Sequence, residues 1–520
     1  MSSIIKTKVF EYLVERLERK LKEEVHEHML SADGEVYKNL LASECVLIQS
    51  YNYSIPEGGD LPPIDVECSI EDGTFDHGPV LFWLNNPDEL PSFLRSAAKL
   101  AVTALELIEN APLPASRITI EDYENIKQQT LGGGIVGSDG TIFGFGTYEQ
   151  LDTGWITSLV YFLYYQLDPD NIHAFNNTPA KPIKLKSSSQ SAADGRESVS
   201  IVVVGDWGTG KYTPGNQING DGPAVAVMGA IEKIQPDYIV HLGDVYYAGT
   251  EGIIETFGEE DEKLMDCWPK DRFEDQDRGS TCFTMNSNHE MYDGANGYFN
   301  VALSQKNTPF SAQEKASFFA LEFDPWVIVG FDSAYYSSPK QLFMHGSLGE
   351  GESAQMKWCK ELYGDKKGKN VIVMSHHNGV NETGEEYDGP LGPSPIDGKQ
   401  RGVYWNQVCS AVNGVPDYWY WGHIHLGVVY DQKLPLAQGA NLRCCGNGAI
   451  PNGEPWACEG VPHIQYYCKT RVNDDGPRVR NGFSLITLYS DGGIDEAFYE
   501  VEDGTTKPIL MWQHSGDASS

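Results

Sequence analysis

The sequence has few cysteines, little positive charge and no long apolar run, and each scarcity excludes a class of protein. Ten cysteines in 520 residues, irregularly spaced and without a CxxC pair, indicate neither a disulfide framework nor a zinc site. Lys and Arg number 38 against 74 Asp and Glu, for a net charge of −36. A surface this acidic repels phosphate backbones and anionic lipid headgroups, which argues against binding of nucleic acid or membranes.

The chain shows no targeting or membrane-spanning segment. Its longest apolar run, residues 156–167, is about half of the roughly 20 residues that a spanning helix needs. The first residues pass directly into a charged segment, without the apolar stretch and small-residue cleavage site of a signal peptide. We therefore expect a cytoplasmic protein with reduced thiols.

Length and composition predict a globular chain of two or three domains, since 40% of the residues are hydrophobic and 22% charged. We predict an N-terminal α+β domain at 1–182, with amphipathic helices near 9–30 and 92–109. A Ser-rich linker is predicted at 183–198, a catalytic domain at 199–505 and a C-terminal tail at 506–520. The sequence assigns neither chemistry nor a protein partner to the N-terminal domain.

After the linker, five apolar, strand-like runs each end in side chains that can bind metal ions. These side chains are those of Asp206, Asp244 with Tyr247, Asn288 with His289, His376 with His377, and His423 with His425. Because the carboxyl ends of strands in an open α/β sheet face one crevice, we expect these residues to converge. Their oxygen and nitrogen donors suit two divalent or trivalent ions, and a bridging Asp can hold such ions roughly 3.5–4 Å apart.

The order GDWG, GDVYY, SNHE, SHH and GHIH resembles the calcineurin-like metallophosphoesterases, and within them the purple acid phosphatases, over about residues 199–500. The resemblance implies an α/β fold, a four-layer sandwich (α+β type) of two mixed β-sheets flanked by helices, with the N-terminal α+β domain added. Two details favour the purple branch. Gly208 stands where most of these enzymes have a metal-binding His, and Tyr247 follows the bridging Asp by three residues, where the purple enzymes place a tyrosine ligand.

Carried over residue by residue, the resemblance implies two metal sites that share Asp244. Asp206, Tyr247 and His425 would bind the first metal, and Asn288, His376 and His423 the second. His376 is preferred to His377 because the family's ligand directly follows its strand. His289 would be the catalytic histidine, and His377, also placed among the catalytic residues, would face the substrate or support the ligands.

The implied function is that of a binuclear phosphomonoesterase of the acid phosphatase type. It would hydrolyse a small phosphorylated substrate by in-line attack of a metal-bound hydroxide, with Fe(III) plus Fe, Zn or Mn(II) as cofactors. A phosphodiesterase or pyrophosphatase on the same site, or a catalytically inert scaffold, are the alternatives. Purple acid phosphatases are usually secreted, whereas this chain shows no export signal.

Three further features carry expectations. Ser287 departs from the Gly that precedes the Asn in the family, which suits a tight or positive-φ turn. The charged insertion at 251–280 is interpreted as a solvated surface loop rather than a lid. The Pro- and Gly-rich segment at 379–402 is the candidate for substrate selection.

Overall fold

The structure is a computed structural model, and it describes residues from 135 to 516. The described residues are 135–143, 147–149, single positions between 155 and 165, 169–179, 181–187, and 196–516 with breaks at 213–221, 254–255, 270–280, 305–307, 352, 365–367, 395–396, 474–475 and 503. The helices predicted near 9–30 and 92–109 lie outside them. Within this described part, no helix is both long enough and apolar enough to cross a bilayer.

One of the two main sheets has six strands. In spatial order they are β20 (Pro508–Gly516), β19 (Ile494–Val501), β18 (Gly482–Tyr489), β4 (Ser198–Val204), β5 (Tyr238–His241) and β8 (Cys282–Thr284). The strands β4, β5 and β8 are mutually parallel, and the remaining pairs are antiparallel. The carboxyl ends of three parallel strands therefore meet at one edge of this sheet.

The other main sheet has eight strands. In spatial order they are β17 (Ile464–Tyr467), β15 (Gly427–Tyr430), β16 (Asn441–Cys445), β14 (Tyr418–Trp421), β11 (Asn370–Ser375), β10 (Trp326–Phe331), β9 (Phe319–Phe323) and β3 (Ile183–Lys184). The neighbours β10, β11, β14 and β16 run parallel. Both sheets are mixed, as predicted.

Helices and three small hairpins complete the described structure. The α-helices are α1 (Pro223–Ile234), α2 (Asn288–Tyr292), α3 (Ala354–Tyr363) and α4 (Val403–Ala411). The hairpins are β1 (Ile135–Val136) with β2 (Ile142–Phe143), β6 (Gly252–Ile253) with β7 (Thr256–Phe257), and β12 (Leu391–Pro393) with β13 (Gln400–Gly402). Short 3-10 helices lie at Pro169–Asn171, Ser311–Gln313, Pro339–Gln341, Pro435–Ala437 and Trp456–Cys458, and π-helical turns at Glu260–Met265 and Tyr298–Ala302.

The core consists of three apolar layers, and the alternation of strand residues explains them. In β4, Ile201 and Val203 face the eight-stranded sheet, whereas Val202 and Val204 belong to the cluster that contains α1. A third cluster packs the eight-stranded sheet against α3 and α4. Since successive strand residues point to opposite faces, a continuous β-branched run can serve two cores. The layers are thus helix, sheet, sheet, helix, in agreement with the predicted four-layer sandwich.

A buried ion pair ties the two sheets together. Arg443 of β16 donates to both carboxylate oxygens of Glu496 in β19, at 2.7 Å each. Both residues are buried, and Tyr420 of β14 donates to the same carboxylate. A paired and hydrogen-bonded charge is the form in which ions are tolerated inside a protein.

Two predicted segments are part of the sheets. The predicted linker begins with β3, which pairs with β9 in the eight-stranded sheet, and it ends with the first residue of β4. The predicted tail contains β20, which pairs with β19 along eight register positions. A Ser-rich or polar composition does not prevent backbone pairing at a sheet edge, which is what the prediction overlooked.

Candidate metal centre

The predicted site residues follow strand ends of both sheets. Asp206, Asp244 and Asn288 come after β4, β5 and β8, whereas His376 and His423 come after β11 and β14. Convergence at the edge of one sheet was predicted, whereas the residues converge because the carboxyl ends of two packed sheets open to the same side. Two glycines allow the close approach: a Cβ at Gly243 would lie 2.8 Å from the Ser287 Cβ, and one at Gly422 would lie 2.6 Å from Asp206 Oδ2.

A first donor group is formed by Asp206, Asp244, His425 and the hydroxyl of Tyr246. The Tyr246 hydroxyl lies 3.2 Å from Asp206 Oδ1, 2.9 Å from Asp244 Oδ2 and 3.2 Å from His425 Nε2. His425 Nε2 is 3.6 Å from Asp206 Oδ1. Ligand atoms of the two aspartates and His425 all lie within 4.8 Å of one another, a spacing suited to one metal ion.

A second donor group is formed by Asn288, His376, His423 and the other oxygen of Asp244. Asn288 Oδ1 lies 2.8 Å from His376 Nε2 and 3.1 Å from His423 Nδ1. His376 Nε2 is 3.1 Å from His423 Nδ1 and 3.3 Å from Asp244 Oδ1. Ligands at ~2.1 Å from a cation stand about 3.0–3.4 Å apart in octahedral or tetrahedral geometry, so these contacts match a shared ion.

The hydrogen bonding of His376 tests whether a cation fits the second group. Its Nδ1 lies 2.9 Å from the Leu242 carbonyl, which can only accept, so we assign the ring proton to Nδ1. Burial lowers the pKa of His376 to about 3, so the ring is neutral and Nε2 carries a lone pair. That lone pair faces the acceptor oxygens of Asn288 and Asp244. Acceptors that point at one another are stable around a cation, and the donor set therefore fits a metal.

The carboxylates of the first group lead to the same conclusion. Asp206 and Asp244 are both buried. Burial and, after it, the negative charge of Asp244 raise the pKa of Asp206 well above its usual range. A bound cation removes this conflict because it supplies the opposite charge that two adjacent buried carboxylates lack.

The backbone at three donors is in the left-handed region. Asp206, Asp244 and His423 have φ values of 56°, 74° and 64°. Non-glycine residues adopt this conformation rarely and at a cost, and such residues concentrate at functional sites. The His423 amide donates to Asp206 Oδ2 at 2.9 Å, so the strained turn at one donor also orients another.

Tyr246, not the predicted Tyr247, brings its hydroxyl into the first donor group. The ring of Tyr247 packs instead against Tyr148 and Trp155, with centroids 4.8 and 4.9 Å away. The two tyrosines are adjacent in the sequence. No feature of the sequence other than the family spacing distinguishes them, and that spacing indicated the wrong neighbour.

Two residues of the charged insertion, Glu259 and Lys263, form a clamp on the loop that carries Tyr246 and Tyr247. Glu259 accepts from the backbone amides of Tyr247 and Ala248 at 2.6 and 2.7 Å. Lys263 is 2.8 Å from Glu259 and also donates to the Tyr246 carbonyl. The described part of 251–280 is therefore packed against the site rather than solvated as predicted. The Glu–Lys spacing of four residues was the available signal, since it pairs the two on one helical face.

The two histidines predicted to be catalytic differ in their surroundings. His289 is fully buried; its Nδ1 lies 2.7 Å from the Tyr247 carbonyl and its Nε2 is 3.8 Å from Asp244 Oδ2. His377 uses Nδ1 towards Ser333 at 2.9 Å and Nε2 towards the Phe343 carbonyl at 2.7 Å. Both ring nitrogens thus contact protein atoms, an arrangement that suits the supporting role. One of them also lies within 4.8 Å of ligand atoms of His376 and His423, and the catalytic role of His377 stays a prediction.

Ser287, the departure from the family pattern, sits in unstrained backbone. Its φ and ψ of −134° and 177° are extended, so no glycine is required at this position. Its hydroxyl accepts from the His289 amide at 3.1 Å and thereby caps α2. The same hydroxyl donates to Asp244 Oδ1 and contacts Glu290 Oε2. The positive-φ turn that a glycine would suit is therefore not formed at this position.

Residues ahead of the predicted catalytic domain also border the site, although no pattern in the sequence predicted this. Trp155 is completely buried, and its ring lies 5.5 Å from that of His289 and 4.9 Å from that of Tyr247. Ser158 donates to the Tyr247 carbonyl at 3.0 Å, the carbonyl that His289 also contacts. Burial raises the pKa of Asp139, and hydrogen bonds with Thr141 and then the electrostatic effect of nearby His425 oppose that rise. The described residues of 135–165 are thus continuous with the core around the metal centre.

Comparison with known proteins gives one family match. Residues 199–427 match the family model described as calcineurin-like phosphoesterase. A search of curated proteins finds no match to the sequence.

Similar solved structures include GAP50, the anchor in the inner membrane complex of Plasmodium, at 14% identity and a TM-score of 0.39, covering 62% of this chain and 90% of that one. They also include the purple acid phosphatase PPD1 of yellow lupin (Lupinus luteus), at 13% identity and a TM-score of 0.39, covering 64% of this chain and 55% of that one. A third similar structure, PhoD, has 8% identity and a TM-score of 0.38, covering 65% of this chain and 74% of that one. Likeness at this level carries no argument about function.

The family match coincides with the part of the chain that supplies the two donor groups. Its range runs from β4 to the first residue of β15 and contains every predicted ligand from Asp206 to His425. Residues 199–427, which supply both donor groups, are thus similar to the calcineurin-like phosphoesterases.

Proposed function

We propose that this protein is a binuclear metal-dependent hydrolase of phosphate esters, acting as a phosphomonoesterase of the acid phosphatase type. The observation that carries the proposal is the position of Asp244 between two donor groups. Its Oδ2 faces Tyr246 of the first group, and its Oδ1 faces His376 of the second. One carboxylate shared by two sets of donors is the arrangement used to hold two ions for phosphoryl chemistry.

The donor types support particular metals. The first group offers two carboxylates, a phenol and one imidazole, a hard set that suits Fe(III). The second offers an amide oxygen, two imidazoles and one carboxylate oxygen, which suits Fe, Zn or Mn(II). Two such ions, when bound, supply a water of lowered pKa as the nucleophile and offset charge on the phosphoryl oxygens.

His289 is suited to act on the leaving group. The Tyr247 carbonyl holds its Nδ1, which leaves Nε2 as the atom that exchanges a proton. That nitrogen is directed at Asp244 and hence at the space between the two donor groups. A histidine in this position can donate a proton to the departing alkoxide of a small phosphate ester.

A covalent thiol mechanism is disfavoured by the surroundings of the cysteines. Burial raises the pKa of Cys445 and of Cys468 to about 12, and it raises the pKa of Cys444 well above its usual range. A thiol acts as a nucleophile only as the thiolate. These three residues are therefore structural, and attack by water is the mechanism that the site supports.

The test compares hydrolysis of p-nitrophenyl phosphate with that of its bis ester, together with elemental analysis of the purified full chain. We expect two metal ions per chain and faster cleavage of the monoester. Asp244→Asn should abolish turnover, whereas Asp491→Asn, which removes a surface partner of Arg196, should leave it unchanged. Faster cleavage of the bis ester would favour a phosphodiesterase. Metal-loaded protein without activity on either ester would favour an inert scaffold.

A further inference from the structure

We propose that Ser287 is a positioning residue that controls the metal affinity of the second donor group through Asp244. This inference rests on the proposed binuclear centre and goes beyond the predicted ligands. Ser287 stands where the family pattern has glycine, which carries no side chain. Its hydroxyl therefore adds to this chain a contact that the family pattern does not imply.

The contact is selective for one oxygen of the shared carboxylate. Ser287 Oγ donates to Asp244 Oδ1, the oxygen that lies 3.3 Å from His376 Nε2 in the second group. The other oxygen, Oδ2, receives the Tyr246 hydroxyl at 2.9 Å in the first group. Removing the serine hydroxyl therefore changes the support of the oxygen that faces His376 in the second group, and leaves the support of the other oxygen intact.

The hydroxyl is held firmly enough to orient its partner. Ser287 is completely buried, with its rotation limited by contacts to Glu290 Oε2 and the His289 amide. Gly243 leaves room for it, since a side chain at that position would come within 2.8 Å of the Ser287 Cβ. A ligand carboxylate that accepts a fixed hydrogen bond keeps its orientation without the metal, so less ordering remains for the ion to impose.

A purely structural role for Ser287 predicts a different result. As the cap of α2, the hydroxyl stabilises the helix that carries Asn288 and His289, and its loss would lower the melting temperature. The loss of a helix cap would not, by itself, weaken one metal-binding step more than the other. The two roles are therefore distinguished by whether the two steps change together.

The experiment measures Mn²⁺ binding to the full-length apo-protein by equilibrium dialysis, with electron paramagnetic resonance of the bound ions. Wild type should bind two Mn²⁺ ions and show the spectrum of a coupled pair. In Ser287→Ala, one step should weaken by roughly 10–100-fold, the range for loss of a partner that supports a ligand. At Mn²⁺ concentrations that saturate only the stronger step, the variant should then show the six-line spectrum of an isolated ion.

Two further variants identify the step. The weakened step should be the one that Asn288→Ala also weakens, and the other step should be the one that Asp206→Ala weakens. Ser484→Ala is the matched control, because it removes a buried serine hydroxyl that contacts Cys445 Sγ and the Val203 carbonyl. The control should bind both ions as wild type does.

Unchanged Mn²⁺ binding in Ser287→Ala, or equal weakening of both steps, would overturn the proposal and leave the proposed function standing. Ser287 would then be a helix cap alone. If wild type bound no Mn²⁺ and no other divalent ion, the binuclear centre itself would be wrong, and this inference would fall with it.

Discussion

Replacing Tyr246 by Phe removes one oxygen atom from the first donor group and leaves the ring in place. That oxygen lies 2.9 Å from Asp244 Oδ2 and 3.2 Å from both Asp206 Oδ1 and His425 Nε2. A hydroxyl has one proton, so it donates one of these hydrogen bonds at a time. A hydrogen bond to a charged group contributes about 1.5–3 kcal/mol, and we expect the free energy of unfolding of the metal-free protein to fall by about 2 kcal/mol.

In the metal-loaded protein, Tyr246→Phe should change both the visible absorbance and the affinity for the first ion. A phenolate bound to Fe(III) absorbs in the visible, so iron-loaded wild type should be purple or pink and Tyr246→Phe should lose that band. Affinity for the first ion should fall by at least the roughly 10–100-fold seen when a supporting partner is lost. Visible absorbance during iron titration and denaturant unfolding of the apo-protein measure the two quantities.

Tyr247→Phe is the matched control, because it makes the same chemical change one residue along the chain. The Tyr247 ring packs against Tyr148 and Trp155 and keeps that packing as Phe. This variant should retain the absorbance and both metal ions. Loss of colour in Tyr247→Phe with full colour in Tyr246→Phe would refute the geometric assignment and restore the residue predicted from the sequence. A colourless iron-loaded wild type would refute a phenolate ligand altogether.

Three further predictions concern stability, each measured by denaturant unfolding. Glu496→Ala should cost about 3–5 kcal/mol because it leaves Arg443 charged, buried and unpaired, and a loss below 1 kcal/mol would contradict the buried pair. Trp155→Ala should cost about 3–5 kcal/mol because the ring is fully buried beside His289. The control Trp456→Ala should cost under about 1 kcal/mol, because Trp456 is 56% exposed. Equal losses in the two variants would show that residue 155 is not part of this core. Burial, with Asp139 nearby, raises the pKa of Glu382 from 4.5 to about 7, so its contribution is present below pH 4.5 and is lost as the pH rises through 7. Glu382→Gln should therefore gain stability relative to wild type between pH 5 and pH 8, and a constant difference would contradict the raised pKa.

Much of the site was predictable because the signals are local. Each apolar run of four or five residues predicts a strand buried on both faces, and the polar residue that follows it marks the strand's carboxyl end. Asp206, Asp244, Asn288, His376, His423 and His425 all stand at such strand ends, and the structure places Asp244 in both donor groups and each of the others in one. The fold class followed from the same runs and from the resemblance they carry.

Neighbouring residues in the sequence do not determine whether Tyr246 or Tyr247 faces the donor groups. Adjacent side chains leave the backbone in different directions, and the loop's dihedral angles decide which one faces the donors. Glu259 and Lys263 hold that loop, since they bind its amides and a carbonyl from an insertion more than ten residues away. Spacing along the chain carries no information about such a clamp.

The boundaries drawn from composition were less successful for a related reason. Ser-rich and polar stretches were interpreted as a linker and a tail, yet β3 and β20 lie within them and pair with sheet edges. Edge strands need backbone partners more than apolar side chains, so their sequences resemble loops. Whether a partner strand is present depends on the packing of residues far away in the chain.

By itself, the sequence determined which residues can bind metal and at which strand ends they stand, because strand periodicity and donor chemistry are properties of a few neighbouring residues. Only the tertiary structure decided that two sheets rather than one bring them together, that Tyr246 supplies the phenol, and that Ser287 supports one oxygen of Asp244. These outcomes depend on distances between residues that the chain separates widely, and only the packed core sets such distances.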